Sequence, residues 1–309
     1  MSDAVHGDAP IAPVDAPTAP VVVAVDGSAG SDHALDWALT AARLRGARLR
    51  IAHVRQYAMP LADGPRMPTI DHRSDADPVV ERVRASLVGR ADLPPLEIEV
   101  VEGTPGRDIP RLGDGAQLLV LGSRGRGGFA SLLLGSNGLA CAREAACPVV
   151  VVRPGDEPAA GARPSVVLGV DALSPHDETI GFAFAEAALR GAVLRVVCAY
   201  PGPVLVYTAT GDFVTSAVAD AATAAQHTEL VGEQLAPFQG RYPQVDVVKE
   251  VLPGDAAALL VEASRDAGLV VVGRHQRRMP LGRLVGSVTN AVLLHAEGAV
   301  AVVPFGASR

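Results

Sequence analysis

Residues Val21 to Val25 form an unbroken apolar run between Pro20 and Asp26, the pattern of a strand covered on both faces. Between Ser31 and Leu44 the spacing changes. Ala34, Leu35, Ala38, Leu39 and Ala42 fall on one stripe, which predicts an amphipathic helix. Leu49–Val54 reads as a second strand, Asp77–Val88 as a helix and Glu97–Val101 as a third strand. Leu118–Leu121 is the fourth strand, and a helix opens at Gly135-Ser136 and ends before Pro148. Val149–Val152 is the fifth. Alternation of strand and helix predicts a parallel sheet with helices on both faces and right-handed crossovers.

The pattern occurs twice. Val21-Val-Val-Ala-Val25-Asp26 matches Val166-Val-Leu-Gly-Val170-Asp171, Trp37 matches Phe182, and Leu49-Arg50-Ile51 matches Leu194-Arg195-Val196, all at an offset of 145. Val120-Leu121-Gly122 matches Val271-Val272-Gly273, Gly135-Ser136 matches Gly286-Ser287, and Val149–Val152 matches Val300–Val303, at an offset of 151. The chain therefore reads as a duplication, with six extra residues in the middle of the second copy, in a loop or its flanking helix. In that copy Ser174-Pro175 predicts a helix start, Ser as N-cap and Pro at the first helical position. Asp220–Pro237 predicts the next helix and Val245–Val251 the third strand. The loops Arg55–Ser74 and Tyr200–Thr215 read as long and irregular. The expected organisation is a disordered tail over 1–19, a domain over 20–153, a Pro/Gly/Ala-rich linker over 154–164 and a second domain over 165–304.

Composition fits this plan. The chain has 309 residues, 49% hydrophobic and 20% charged, enough for two globular domains of roughly 150 residues each. A net charge of -7 counts against a nucleic-acid partner, whose phosphates call for a basic surface. No apolar run approaches the ~18 residues of a membrane span, and the first twenty residues lack a signal-peptide pattern. Cys141, Cys147 and Cys198 have neither disulfide nor zinc spacing, so buried thiols in a reducing cytoplasm are expected. Lys249 is the only lysine, which excludes a lysine-based phosphate loop.

Candidate chemistry lies just beyond the strands, since open parallel sheets bind ligands at the carboxyl ends of their strands. Asp26-Gly27-Ser28 follows the first strand, and Gly122-Ser-Arg-Gly125 follows the fourth. The glycines let backbone approach a ligand closely. Gly135-Ser136 then opens a helix whose N-terminus offers free N–H groups and a positive dipole end. Together these parts make an anion cradle of backbone, suited to a phosphate chain.

The spacing G-x2-G-x9-G-[ST], the run LGSRGRGGFASLLLGS, the following Cys147-Pro148-Val-Val-Val-Val-Arg153 and the first-strand VAVDGS resemble the universal stress protein family. The resemblance covers both halves and implies α/β architecture. Two tandem Rossmann-like, adenine nucleotide α-hydrolase-like domains would each have a five-stranded parallel sheet in the order 3-2-1-4-5. It implies ATP as ligand, with Mg²⁺ carried on the phosphates. By the same resemblance Asp26 would accept from the ribose hydroxyls, Val54 would meet the adenine, and Gly122 and Gly125 would pass close to ribose and phosphates. Gly135, Ser136 and Asn137 would donate to the phosphates, with Arg124 and Arg126 adding charge. In the second half Asp171, Ala199, Gly273, Gly286, Ser287, Val288 and Thr289 stand in the matching places, but Gln276 replaces the second glycine. If that position requires a positive φ, Gln276 is strained there. Arg274, Arg277 and Arg278 would pair with phosphate or form an exposed basic face.

The resemblance also implies that the two fifth strands pair, making an intrachain pseudo-dimer, to which a homodimer could be added. The expected function is a cytoplasmic ATP-binding regulator of stress adaptation and growth, without dedicated catalysis, slow hydrolysis being compatible with it. One alternative is a nucleotide-free interaction module of the same family, favoured if the glycine loops are collapsed. Another is an adenylating enzyme, but the first-strand loops DGSAGS and DALSPH lack its SGGxDS pattern.

Overall fold

The computed structural model describes residues 19–56, 77–125, 134–153, 164–202, 205–207, 213–215, 217–274, 277–279 and 282–305. The first half runs β1 (Val21–Ala24), α1 (Ala29–Leu44), β2 (Leu49–Arg55), α2 (Pro78–Leu87), β3 (Leu96–Glu102), α3 (Pro105–Arg111), β4 (Leu118–Gly122), α4 (Ser136–Glu144) and β5 (Val149–Val152). The second half runs β6 (Ser165–Val170), α5 (Asp177–Arg190), β7 (Val193–Tyr200), β8 (Leu205–Tyr207), β9 (Phe213–Thr215), α6 (Ala217–Arg241), β10 (Val247–Pro253), α7 (Ala256–Ala263), β11 (Leu269–Gly273), β12 (Arg277–Met279), β13 (Gly282–Leu284), α8 (Ser287–His295) and β14 (Val300–Val303).

All but the two short hairpins join one ten-stranded sheet, in the order β10-β7-β6-β11-β14-β5-β4-β1-β2-β3. Each half therefore has the order 3-2-1-4-5. Its strands are parallel, and the halves meet where β14 runs antiparallel to β5. Along β1 and the residue after it, Val21, Val23 and Val25 face one buried apolar cluster, while Val22 and Ala24 face another. Burial on both faces is why the run is unbroken rather than alternating.

The register at the junction defines a local two-fold axis. Ala301 stands opposite Val150, and the two are repeat counterparts at the offset of 151. Val300 pairs with Val151 and Val302 with Val149, as a two-fold through the central pair requires. Joining the fifth strands hides two edges of valine that would otherwise be open to association.

The six extra residues are located by pairing. Leu49 pairs with Leu96 and Leu194 with Val247, so the offset changes from 145 to 151 between the second and third strands of each half. There α2 has 10 residues and α6 has 25. Two expectations need correction, and one hairpin was not foreseen. Helix α5 starts at Asp177, not at Ser174-Pro175. The Asp171 carboxylate accepts from the Leu173 N–H, and its carbonyl from the Ser174 N–H, so a local turn takes the place of the first helical turn. The segment Tyr200–Thr215 contains the hairpin β8–β9, and the stretch between Gly273 and Gly286 contains the hairpin β12–β13. Strands of three residues are too short to leave a periodic signal. Most of the Arg55–Ser74 loop, the 1–18 tail and residues 154–163 of the linker lie outside the described residues.

Candidate functional site

At the mouth of the first half, β1 delivers Asp26 into a tight turn. Gly27 has φ +75, a conformation that favours glycine. The Asp26 Oδ1 accepts from the Ser28 N–H at 3.0 Å and from its hydroxyl at 2.6 Å. Ser28 in turn caps α1, its Oγ accepting from the Ser31 N–H at 3.3 Å. The other carboxylate oxygen faces the β4 loop: a Cβ on Gly125 would lie 2.5 Å from Asp26 Oδ2. A Cβ on Gly122 would lie 2.5 Å from the Gly30 carbonyl oxygen, and one on Gly30 2.6 Å from that of Arg124. None of these three glycines has a positive φ. Their role is space: the first turn of α1 packs directly on the loop leaving β4.

The loop also closes on itself. Ser123 is buried, its N–H donates to Val152, and its carbonyl accepts from the Gly135 N–H at 2.7 Å. The chain thus re-enters beside the point where it left the sheet and starts α4 there. Gly135 caps α4 without a side-chain hydrogen bond, so among the described residues the first-turn amides of Ser136, Asn137 and Gly138 receive no cap from the N-cap side chain. Arg124, Gly125 and Ser136 are exposed, and Asp26 and Asn137 half-buried. The fold therefore brings Asp26, Gly122, Arg124, Gly125 and Gly135 together, with Ser136 and Asn137 on the adjoining helix start. Val54 is only 7% exposed and belongs to the apolar cluster behind the mouth. Arg126 lies outside the described residues.

The second mouth is built differently. Asp171 again holds its own turn, and Gly286 caps α8 without a side-chain bond. Ser287 is exposed, Val288 packs on the core and Ala199 is half-buried. Thr289 is buried, and its hydroxyl donates to the Gly273 carbonyl at 2.8 Å. A Cβ on Gly273 would lie 3.1 Å from Thr179 Oγ1, and the His176 ring also lies against it. The His176 ring meets Phe305 edge-on, centroids 3.7 Å apart. Gln276 lies outside the described residues, and the side chains of Arg277 and Arg278 are not described.

Arg274 is neither a phosphate ligand nor part of an exposed face. It is 4% exposed, and its Nη1 donates to the carbonyls of Arg143 at 3.1 Å and Ala145 at 2.8 Å. These are carbonyls at the C-terminal end of α4, where a cation completes open acceptors and suits the helix dipole. In the other direction Arg153 donates to the carbonyls of Leu293, Ala296 and Gly298 at the end of α8. Each half thus caps the last helix of the other. Sequence comparison misses this, because the counterparts of Arg153 and Arg274 are Pro304 and Ser123. A second feature did leave a signal. Arg50 pairs with Glu99 and donates to the Leu112 carbonyl, while Arg195 pairs with Glu250 and donates to that of Ala263. All three positions repeat at the offsets found above.

Among the described residues no cluster of His, Cys, Asp or Glu is arranged to hold a metal ion, and no helix is long and apolar enough to cross a membrane. The three cysteines are free and buried. Burial pushes the Cys147 thiol up to about 12 and raises those of Cys141 and Cys198 as well, so they are packing groups rather than nucleophiles.

Two doubly wound α/β units, joined through their fifth strands and each leading from a fourth-strand glycine to a glycine-capped helix start, define a tandem Rossmann-like protein. The family model described as Universal stress protein family matches residues 18–153 and 163–304, and the chain belongs to that family. It is 36% identical over 293 residues to a universal stress protein of Mycobacterium tuberculosis H37Rv, covering 92% of this chain and 96% of that one. A universal stress protein of Mycolicibacterium smegmatis is 32% identical over 289 residues, again covering 92% of this chain and 96% of the relative. The crystal structure of a universal stress protein from Archaeoglobus fulgidus superimposes with a TM-score of 0.64 at 17% identity, covering 93% of this chain and 98% of that one, a likeness of fold.

Proposed function

We propose that the chain is a cytoplasmic, ATP-binding regulator of stress adaptation, with its principal site at the mouth of the first half. One observation carries this reading: the loop leaving β4 packs through Gly122 and Gly125 on Gly30 and Asp26 and through Ser123 and Arg124 on Gly135, which sets a carboxylate and the glycine-capped start of α4 on either side of that loop. A carboxylate only accepts hydrogen bonds and suits ribose hydroxyls. A helix start suits a phosphate chain. Asp26 would hold the sugar, and the amides of Ser136, Asn137 and Gly138 would hold phosphate, Arg124 adding charge from the exposed side. Bound ATP would supply a dense anionic chain and carry Mg²⁺ with it. The second half would bind more weakly, since the Thr289 hydroxyl serves Gly273 and Arg274 is committed to the other half.

Mass spectrometry of small molecules released by denaturing the purified protein, with calorimetric titration of Mg-ATP, tests the reading. Adenine nucleotide at about one per chain, or saturable binding at that ratio, is the expected result. A second reading, an interaction module without ligand, draws on the same close packing of the loop on its own turn. Absence of released nucleotide together with no heat on titration would favour it.

A further inference from the structure

The two-fold that relates the halves passes close to a charge cluster that does not obey it. Arg45 at the end of α1 and Arg190 at the end of α5 are repeat counterparts at the offset of 145. Both close on one carboxylate. Arg45 donates to Glu186 Oε1, and Arg190 Nε donates to Glu186 Oε2 at 3.0 Å. Glu186 is 1% exposed. Its counterpart in the first half is Ala41, itself fully buried. Strict two-fold symmetry would pair every contact of residue i with j by one of j with i. The contact of Arg45 with Glu186 therefore has a mate in which Arg190 meets Ala41, where no carboxylate exists. Arg190 turns back instead to Glu186 on its own helix and lies over the Trp37 ring of the first half, 4.8 Å from its centroid.

A carboxylate has two oxygens and can serve two guanidinium groups at once. The one carboxylate thus suffices for a union of first half with second half. It cannot suffice for the rearranged alternative, in which two chains exchange partners. There, first half would meet first half with two buried Arg45 side chains and no carboxylate, because Ala41 stands on both sides. Second half would meet second half with two arginines and two glutamates, gaining nothing that offsets the loss. A buried unpaired charge is costly.

We infer that Glu186 selects the pairing of unlike halves within one chain over the pairing of like halves between chains, and that it does so as a counter-charge shared across the local two-fold. Burial pushes both Arg45 and Arg190 down to about 10, so both remain cationic at neutral pH and need that counter-charge. Because the device is related by symmetry, the carboxylate should work equally from the equivalent place on α1.

The test is refolding of the full chain from urea at high protein concentration, with masses read by light scattering behind size exclusion. Glu186→Ala should yield several-fold more of the larger, interchain species than wild type. The double variant Ala41→Glu with Glu186→Ala should return the wild-type distribution. The inference is overturned if Glu186→Ala refolds with the wild-type distribution, or if the double variant behaves like Glu186→Ala. Should Glu186→Ala fail to fold, the double variant decides: recovery of a folded protein of wild-type mass supports the inference, and failure to fold overturns it.

Discussion

Asp26 and Gly125 are so close that no side chain fits between them, a Cβ at residue 125 falling 2.5 Å from the aspartate Oδ2. The other oxygen, Oδ1, is held by the N–H and hydroxyl of Ser28, so the carboxylate has little room to retreat. Gly125→Ala is therefore expected to push Asp26 out of its turn. Mg-ATP affinity should fall about tenfold, the effect of losing ~1.4 kcal/mol. Titration calorimetry of the variant against wild type reads it, and unchanged affinity would detach this carboxylate from binding.

Gly135→Asp separates folding from binding. Residue 135 has φ -75, and among the described residues a Cβ there would meet nothing nearer than the Ser123 carbonyl oxygen at 3.5 Å. Asp is also a better N-cap than Gly and favours the positive end of the helix. The variant should melt at or above the wild-type temperature. It should nonetheless bind Mg-ATP at least about 100-fold more weakly, a charge now standing where phosphate would sit, equivalent to ~2.7 kcal/mol. Full binding by a stable variant would remove phosphate from the α4 start.

Arg274→Met keeps the length of the side chain and removes its donors. It leaves the carbonyls of Arg143 and Ala145 without their cationic partner. A loss of about 3 kcal/mol of stability is expected, since hydrogen bonds to charged groups are worth ~1.5–3 kcal/mol and orphaned buried acceptors add to the cost. The urea unfolding midpoint reads it. A shift within error of wild type would mean that this cap contributes little.

The thiols give a pH dependence of known sign. All three are raised in the folded state, so the native chain holds protons that the unfolded chain releases. Stability from this source is complete below the ordinary thiol range and declines as pH rises through it toward the folded value of about 12 for Cys147. Urea midpoints should therefore fall between neutral pH and pH ~10, above the thiol reference value of ~8.5. The triple variant Cys141→Ala, Cys147→Ala, Cys198→Ala should show a smaller fall. An equal fall in both would assign the dependence to other groups.

The sequence by itself determined the duplication, the five sheet strands of each half and the parallel sheet, though not the short helices α3 and α7 or the hairpins β8–β9 and β12–β13. These follow from local periodicity and from apolar runs long enough to be covered twice, as in Val21–Val25. It also placed the glycine positions of the first mouth, because Gly122, Gly125 and Gly135 recur at a spacing that the resemblance made legible. It did not reveal why the glycines are there. For Gly122 and Gly125 that reason is contact with Gly30 and Asp26, nearly a hundred positions earlier in the chain. Nor could it assign Arg274, whose neighbours suggest phosphate but whose partners are carbonyls of the other half. The shared carboxylate of Glu186 was likewise invisible, since its meaning depends on an axis that exists only once β5 and β14 have paired. Periodicity records what each segment must bury. Which charges and carbonyls end up facing one another is set by the packing of distant segments, and only the tertiary structure decides that.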